Sequence, residues 1–388
     1  MNILLLSQFF SETRGGGEYV FKLLANSLAK NNNKVWIITN KITGEDYNFH
    51  NNVKTIFVKP DLEFRGGLPP GIIDNIRYTS NAIKVGMQII KKENIDLIHS
   101  NNFAPALAGA ILSLFTSKPH ITTILDIFSL CGQDYWKRWI EQSGVSKIHA
   151  FLGPRFEKMI LKFPLTAIHT ISEATKNDLI KFGAKKPIHV ILPSITRTDQ
   201  KSINVNSSQF VYVGRLVFYK NLEVIIKAIS IARKNEPQIK LVIVGEGPHR
   251  QTLEELTKTL GLEQNIEFMG YVNADKKTRL LATSCALVFP SLCEGFGLVI
   301  LEAFDQSKPV LVSNIRPMSD IVSHGENGFV LDPHNENQWA DCFLRIIKNS
   351  QEASEMGKNG NKLLTMYGQE SMYQKIIKMY SDIIKEHA

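Results

Sequence analysis

Residues 290 to 303 read PSLCEGFGLVILEA and set two glutamates, Glu294 and Glu302, on either side of Gly295-Phe296-Gly297. The apolar run that leads into them, CALVFPS, has the length of a buried strand, and LVILEAF reads as the helix that follows. The turn CEGFG then sits at a strand's carboxyl end and opens a helix. A helix N-terminus presents unpaired N–H groups and about half a positive charge, which suit a phosphate. Gly295 and Gly297 carry no Cβ to hinder its approach. Glu302 falls about one and a half turns into the helix, too deep to repel a phosphate strongly. Its carboxylate can accept a pair of hydrogen bonds from a vicinal diol such as a ribose. Glu294, ahead of the helix, can bind other hydroxyls. Amides for phosphate, one acid for ribose and one for a hexose add up to a site for a sugar nucleotide. Either acid alone is as well explained by capping or solvation; the whole pattern is what points to a ligand.

The same strand-then-helix unit recurs along the chain. NILLL (2 to 6) and KVWIIT (34 to 39) read as strands flanking a helix, EYVFKLLANSLAK (18 to 30). DLIHS (96 to 100), HITTIL (120 to 125), TAIHTIS (166 to 172) and HVILP (189 to 193) continue the series. TRTDQKSINVNSSQ (196 to 209) is polar and aperiodic, and reads as a linker. The alternation resumes with FVYVG (210 to 214), KLVIVG (240 to 245), IEFMG (266 to 270), CALVFP (285 to 290) and PVLVS (309 to 313). Such alternation implies mainly parallel sheets covered on both faces, so two doubly wound α/β domains are expected. Ligands of these sheets bind beyond the carboxyl ends of the strands.

The chain has 388 residues, 44% hydrophobic and 21% charged, enough for two or three cores. A net charge of +8 suits an anionic partner such as a nucleotide or a phospholipid surface. The basic residues are scattered and no aromatic-basic motif stands out, so no nucleic acid is expected. Four cysteines without a C-x-x-C pair are expected to be reduced thiols, holding neither zinc nor disulfides. MNILLLSQFF reads as a strand rather than a signal peptide. FAPALAGAILSLF (103 to 115) falls short of the roughly 20 residues that span a bilayer. The expectation is a cytoplasmic protein, free or peripheral at the inner face of the membrane. PRFEKMILKF (154 to 163) sets Arg155, Lys158 and Lys162 beside Phe156, Met159, Ile160 and Phe163 on a helix, which suits an anionic membrane surface or, equally, a packed core helix.

PSLCEGFGLVILEA resembles the E-x7-E signature of the retaining glycosyltransferases of family 4, which have the GT-B fold. FVYVGRLVFYKN (210 to 221) resembles that family's strand followed by G-R-L and then Lys-Gly, with Asn221 in place of the glycine. KLVIVGEGPHRQTLEELTKTLGLEQNIEFMGYV (240 to 272) resembles its G-x-G-P segment followed by a helix and a strand. The resemblance implies two Rossmann-like domains facing a central cleft. Residues 1–198 would form the acceptor side, joined by the last helix (370–388), and 199–369 the donor-binding side. It implies transfer of a hexose, with retention, from a UDP- or GDP-linked donor to a glycan or lipid-linked acceptor in surface polysaccharide or glycoconjugate synthesis. Arg215, Lys220 and Glu294 would carry the chemistry. Gly15, Gly16, Gly17, Gly295, Phe296, Gly297, Leu298 and Glu302 would bind the donor, with His99 and Asp126 on the acceptor side.

The chemistry of the second block agrees with that assignment. Departure of a nucleoside diphosphate builds negative charge on the β-phosphate, which calls for cations. The chain contains no D-x-D motif to hold a metal, so neither metal nor cofactor is expected. Arg215 offers a planar fork and Lys220 a point charge instead. Each is worth roughly 3 kcal/mol in the transition state by analogy with single oxyanion donors. HITTILDIFSLCG (120 to 132) resembles the stretch where the family has His-Asp, but reads Leu125-Asp126. In retaining members that His contacts the donor sugar, so the change implies altered sugar choice, a lower rate or lost activity. Three rivals stand beside this reading: a sugar-nucleotide 2-epimerase of GT-B shape, a non-catalytic nucleotide-sugar-binding relative, and a dinucleotide enzyme. The last rests on GEGPHR, a partial G-x-G-x-x-G with Arg250 in the third position.

Overall fold

A computed structural model describes residues 1–10, 16–43, 47, 49–63, 70–132, 134–143, 147–198 and 205–387. The chain divides into two units, Met1–Ser194 with Gly368–Ala388, and Ile195–Tyr367.

The first unit is built on seven parallel strands: β1 (Asn2–Leu6), β2 (Lys34–Ile42), β3 (Val53–Leu62), β4 (Leu97–Ser100), β5 (His120–Thr123), β6 (Ala167–Thr170) and β7 (Ile188–Val190), in the order β3-β2-β1-β4-β5-β6-β7. Successive side chains of a strand point to opposite faces, and β1 shows why the sheet must be covered on both. Ile3 and Leu5 join a core with Phe21, Leu24, Leu28, Ile376 and Tyr380, under the helices Gly16–Lys30 and Gln369–His387. Leu4 and Leu6 join another with Trp36, Ile38, Tyr78 and Leu112, under the helices Ile72–Glu93 and Ala104–Thr116. A strand buried on both faces reads as an unbroken apolar run, which is how NILLL looks in the sequence.

The second unit holds six parallel strands: β8 (Asn206–Val213), β9 (Lys240–Val244), β10 (Ile266–Gly270), β11 (Ser284–Phe289), β12 (Val310–Ser313) and β13 (Gly328–Leu331), in the order β10-β9-β8-β11-β12-β13. In both sheets the winding direction reverses beside the first strand, between β1 and β4 and between β8 and β11. Loops leaving the carboxyl ends of strands at such a reversal frame the binding crevice of the fold.

Sequence and structure part company in a few places. β3 and β13, each at a sheet edge, fall outside the runs read as strands; β13 is only the four residues GFVL, and β3 carries Pro60 and exposed polar residues, which an edge tolerates. β8 begins at Asn206, inside the stretch read as linker, because Asn206 pairs with Ser284 and Gln209 with Lys240. Backbone pairing on two sides is indifferent to polar side chains. Of the apolar arc left between a membrane surface and a packed core, Ile160 belongs to a core cluster with Ile124, Ile127 and Leu179, and Phe156 and Phe163 pack against it. Among the cysteines Cys285 and Cys342 are free thiols, whereas Cys131 and Cys293 are not, which corrects the expectation of four reduced thiols.

Candidate functional site

The second unit's reversal point brings the two marked sequence blocks together, one after β8 and one after β11. After β8 the chain turns through Gly214 to Lys220. Tyr212 is fully buried and its hydroxyl donates to the Arg215 carbonyl at 2.9 Å. Burial, and then the neighbouring Glu294 carboxylate, push its phenol well above the usual value, so it stays protonated as a donor. Arg215 Nη2 donates to the Tyr219 hydroxyl at 2.9 Å, which fixes the guanidinium beside the turn. Asn221, standing where a glycine is usual, adopts the left-handed conformation (φ 54°, ψ 37°), and its amide donates to the Pro333 carbonyl at 2.8 Å. The loop therefore keeps its course with Asn.

The β11 loop is tied to this turn by the Leu292 N–H, which donates to the Tyr219 carbonyl at 2.8 Å. Lys220 Nζ then ion-pairs with the Glu294 carboxylate; the two side chains are only 9% and 13% exposed. The same ammonium lies 5.0 Å above the Phe289 ring and 5.4 Å from that of Tyr219. The sequence marks both residues for separate tasks; the structure makes them direct partners. Gly297 takes φ +92°, and a Cβ there would meet Ile300 and Phe289 at 3.1 and 3.2 Å, so its glycine serves the backbone turn. The helix Leu298–Asp305 follows with no side-chain cap on its N-terminus. Phe296 is buried, its ring edge-on to that of Tyr367 at 5.8 Å.

Glu302 lies on that helix, and its Oε1 is 2.7 Å from Lys277 Nζ on the helix Ala274–Thr283, both side chains about a quarter exposed (24% and 26%). Lys277 belongs to no motif, so sequence reading passes over it. Ser291, also unmarked, is fully buried in the same turn as Glu294, with no hydrogen-bond partner for its hydroxyl among the described residues.

GEGPHR has a different explanation from a dinucleotide fingerprint. A Cβ on Gly245 would stand 1.8 Å from the Gly214 carbonyl oxygen, and one on Gly247 would stand 2.2 Å from that of Leu216. Leu216 N–H donates to Glu246 O, and His249 N–H to Leu216 O, both at 2.9 Å. These glycines let one loop lie backbone-to-backbone on the Arg215 loop. His249 Nε2 adds a 2.6 Å bond to Glu223.

With the site in view, comparison with known proteins decides the class. The model for "Glycosyl transferases group 1" matches residues 195–363, and that for "Glycosyltransferase Family 4" matches residues 14–198. The chain is a GT-B glycosyltransferase. An uncharacterised glycosyltransferase of Methanocaldococcus jannaschii is 26% identical over 356 residues, 86% of each chain. Among solved structures, sucrose-phosphate synthase from Thermosynechococcus elongatus superposes with a TM-score of 0.84 at 18% identity, over 99% of both chains. Anabaena HepE, solved in complex with UDP-glucose, gives 0.73 at 18% identity, over 98% of this chain and all (100%) of its own.

In the first unit of the glycosyltransferase, Gly15 lies outside the described residues, while Gly16 and Gly17 open the helix Gly16–Lys30. A Cβ on Gly17 would stand 2.6 Å from Leu125 Cδ1, so the glycine start and the Leu125-Asp126 stretch are neighbours. Asp126 lines a small depression with Asn102, Glu157 and Phe182. His99, a candidate for the acceptor side, is instead fully buried. Its ring nitrogens bond Tyr380 Oη at 2.5 Å and Thr123 Oγ1 at 2.7 Å, which fastens the last helix to the sheet. One residue that sequence reading missed stands at the β1/β4 reversal. Phe103 adopts φ 61°, ψ −123°, a strained backbone for a bulky residue, with its ring stacked between Phe128 and Phe156.

Proposed function

We propose that this glycosyltransferase moves a hexose, with retention, from a UDP- or GDP-linked donor to a glycan or lipid-linked acceptor in surface polysaccharide or glycoconjugate synthesis. The observation that carries the reading is the Lys220–Glu294 pair at the β8/β11 reversal, beside Arg215 and the uncapped helix N-terminus. Before donor arrives, each member of the pair holds the other in place. A diphosphate offers Lys220 a stronger anion and frees Glu294 to accept hydrogen bonds from the hexose. Arg215 and the helix start share the charge that grows on the β-phosphate. The acceptor hydroxyl attacks the anomeric carbon as its bond to the β-phosphate oxygen breaks. Both events occur on one face of the sugar, and the hydroxyl's proton passes to the leaving phosphate. No side-chain base is required. That HepE holds UDP-glucose supports a nucleotide donor.

A thermal-shift screen of UDP, GDP and ADP tests the reading, since a ligand at a hundred times its Kd adds about 2.7 kcal/mol of stability. No shift with any of them overturns it, and so does consumption of donor with no acceptor present. Chelator is expected to leave donor affinity within about threefold; a loss of tenfold, about 1.4 kcal/mol, overturns metal-free binding.

The two acids should also separate. Glu302→Gln is expected to weaken nucleoside diphosphate and full donor alike, by roughly 1.5 to 3 kcal/mol for charge-assisted bonds. Glu294→Gln is expected to spare nucleoside diphosphate affinity and lower turnover, because the sugar loses its orientation. Titration calorimetry and initial rates read the two effects. Equal losses for both ligands in both variants contradict the division of labour. Glutamine is the better replacement, because alanine would leave the Lys220 ammonium buried with no acceptor.

A further inference from the structure

The helix Ile148–Ile160 in the first unit sorts its residues by face. At about 100° per residue, Ile148, Phe151, Leu152, Arg155, Lys158 and Met159 fall within an arc of about 120°, and all six are exposed. The apolar four are 49%, 58%, 39% and 42% exposed. The opposite side is core: Ile160 is buried, and the Glu157 carboxylate accepts the N–H groups of Phe128 and Ser129 at 2.9 and 3.0 Å. Glu157 is the helix's one acid, so the outer arc carries four large apolar side chains, two cations and no carboxylate. Exposed Lys147 precedes the helix and exposed Lys162 follows it.

We propose that this arc docks the protein onto an anionic lipid surface. Single exposed apolar residues are ordinary on any protein, but four on one arc about 18 Å long form a continuous stripe. Such a helix lies in the interface plane with its apolar side in the acyl boundary. Lys and Arg side chains can then reach up to headgroup phosphates while their stems stay in the apolar layer. Arg155 is already arranged this way: its guanidinium lies 3.5 Å over the Phe151 ring and donates to the Phe151 carbonyl at 2.8 Å. The arc's two cations and lack of any carboxylate complement an anionic surface better than a second copy of the same basic arc. Among the described residues no helix is long and apolar enough to cross a membrane, so the attachment is to the surface. Through Glu157 the docking helix also holds the Phe128–Ser129 backbone, which ties lipid binding to the segment that follows Asp126.

Flotation of the full chain with vesicles tests the proposal. Partition onto vesicles of one-third phosphatidylglycerol in phosphatidylcholine is expected to exceed that onto phosphatidylcholine alone by at least tenfold, and to fall as salt rises. Arg155→Glu, Lys158→Glu and Lys162→Glu together are expected to remove that preference. Phe151→Ser with Leu152→Ser is expected to lower binding at least tenfold without touching a charge; Phe151→Ser alone serves if the pair does not fold. Wild-type indifference to phosphatidylglycerol overturns the proposal. Unchanged binding in the Phe151 variants also overturns it, as does a dimer in vesicle-free solution that those variants dissolve.

Discussion

Lys220→Met is expected to lower kcat by about a hundredfold to a thousandfold, or roughly 3 to 4 kcal/mol of transition-state stabilisation. The loss should fall on kcat more than on donor KM, because the charge it answers develops only as the diphosphate leaves. Interpretation needs a control that the structure supplies. Lys220 and Glu294 are buried partners, so removing the cation strands a carboxylate and destabilises the second unit by up to about 3 to 5 kcal/mol. Lys220→Met combined with Glu294→Gln removes the stranded charge. That double variant is expected to recover most of the melting temperature and none of the activity. Single-turnover rates and thermal melts of the four proteins form the test. If Lys220→Met keeps kcat within threefold of wild type, the cation has no part in the chemistry, and the pair is structural.

Mild acid is expected to unfold the first unit through its interior histidines. Burial holds His120 down to about 3 and His169 down to about 4. His99 is also lowered well below its usual value, by burial and then by the neighbouring His169 and His120. In the unfolded chain these rings titrate near the ordinary 6.5. Below that pH the unfolded state binds protons that the folded state refuses, so stability is full above 6.5 and falls with pH until the folded values are reached. At about 1.4 kcal/mol per pH unit for each ring, His120 and His169 together cost about 4 kcal/mol by pH 5. That is a large part of the roughly 5 to 15 kcal/mol that holds a domain. Near-UV circular dichroism against pH should show a cooperative loss between about pH 5 and 4 for a domain of that stability. His169→Asn, which removes one titrating ring, should move the midpoint lower. A midpoint that stays put in the variant would show that carboxylates, and not these histidines, set the acid limit.

The sequence by itself determined the parts that depend on local pattern. Strands buried on both faces must be continuous apolar runs, so β1, β9 and β11 were legible, as was the parallel architecture they imply. The Glu294–Glu302 block and the Arg215–Lys220 loop were legible because each joins a strand end to a helix start within a few residues. The tertiary structure decided what depends on partners remote in the chain. It paired Lys220 with Glu294 and Lys277 with Glu302, and closed the His99 ring on Tyr380, 281 residues away. It also gave Gly245 and Gly247 to backbone packing and drew Asn206–Gln209 into a strand. For the helix Ile148–Ile160, periodicity marked two faces but not which one the rest of the fold would cover. A residue's neighbours along the chain fix its local conformation, whereas strand order and helix crossover choose the atoms it meets, and no spacing in one dimension records them.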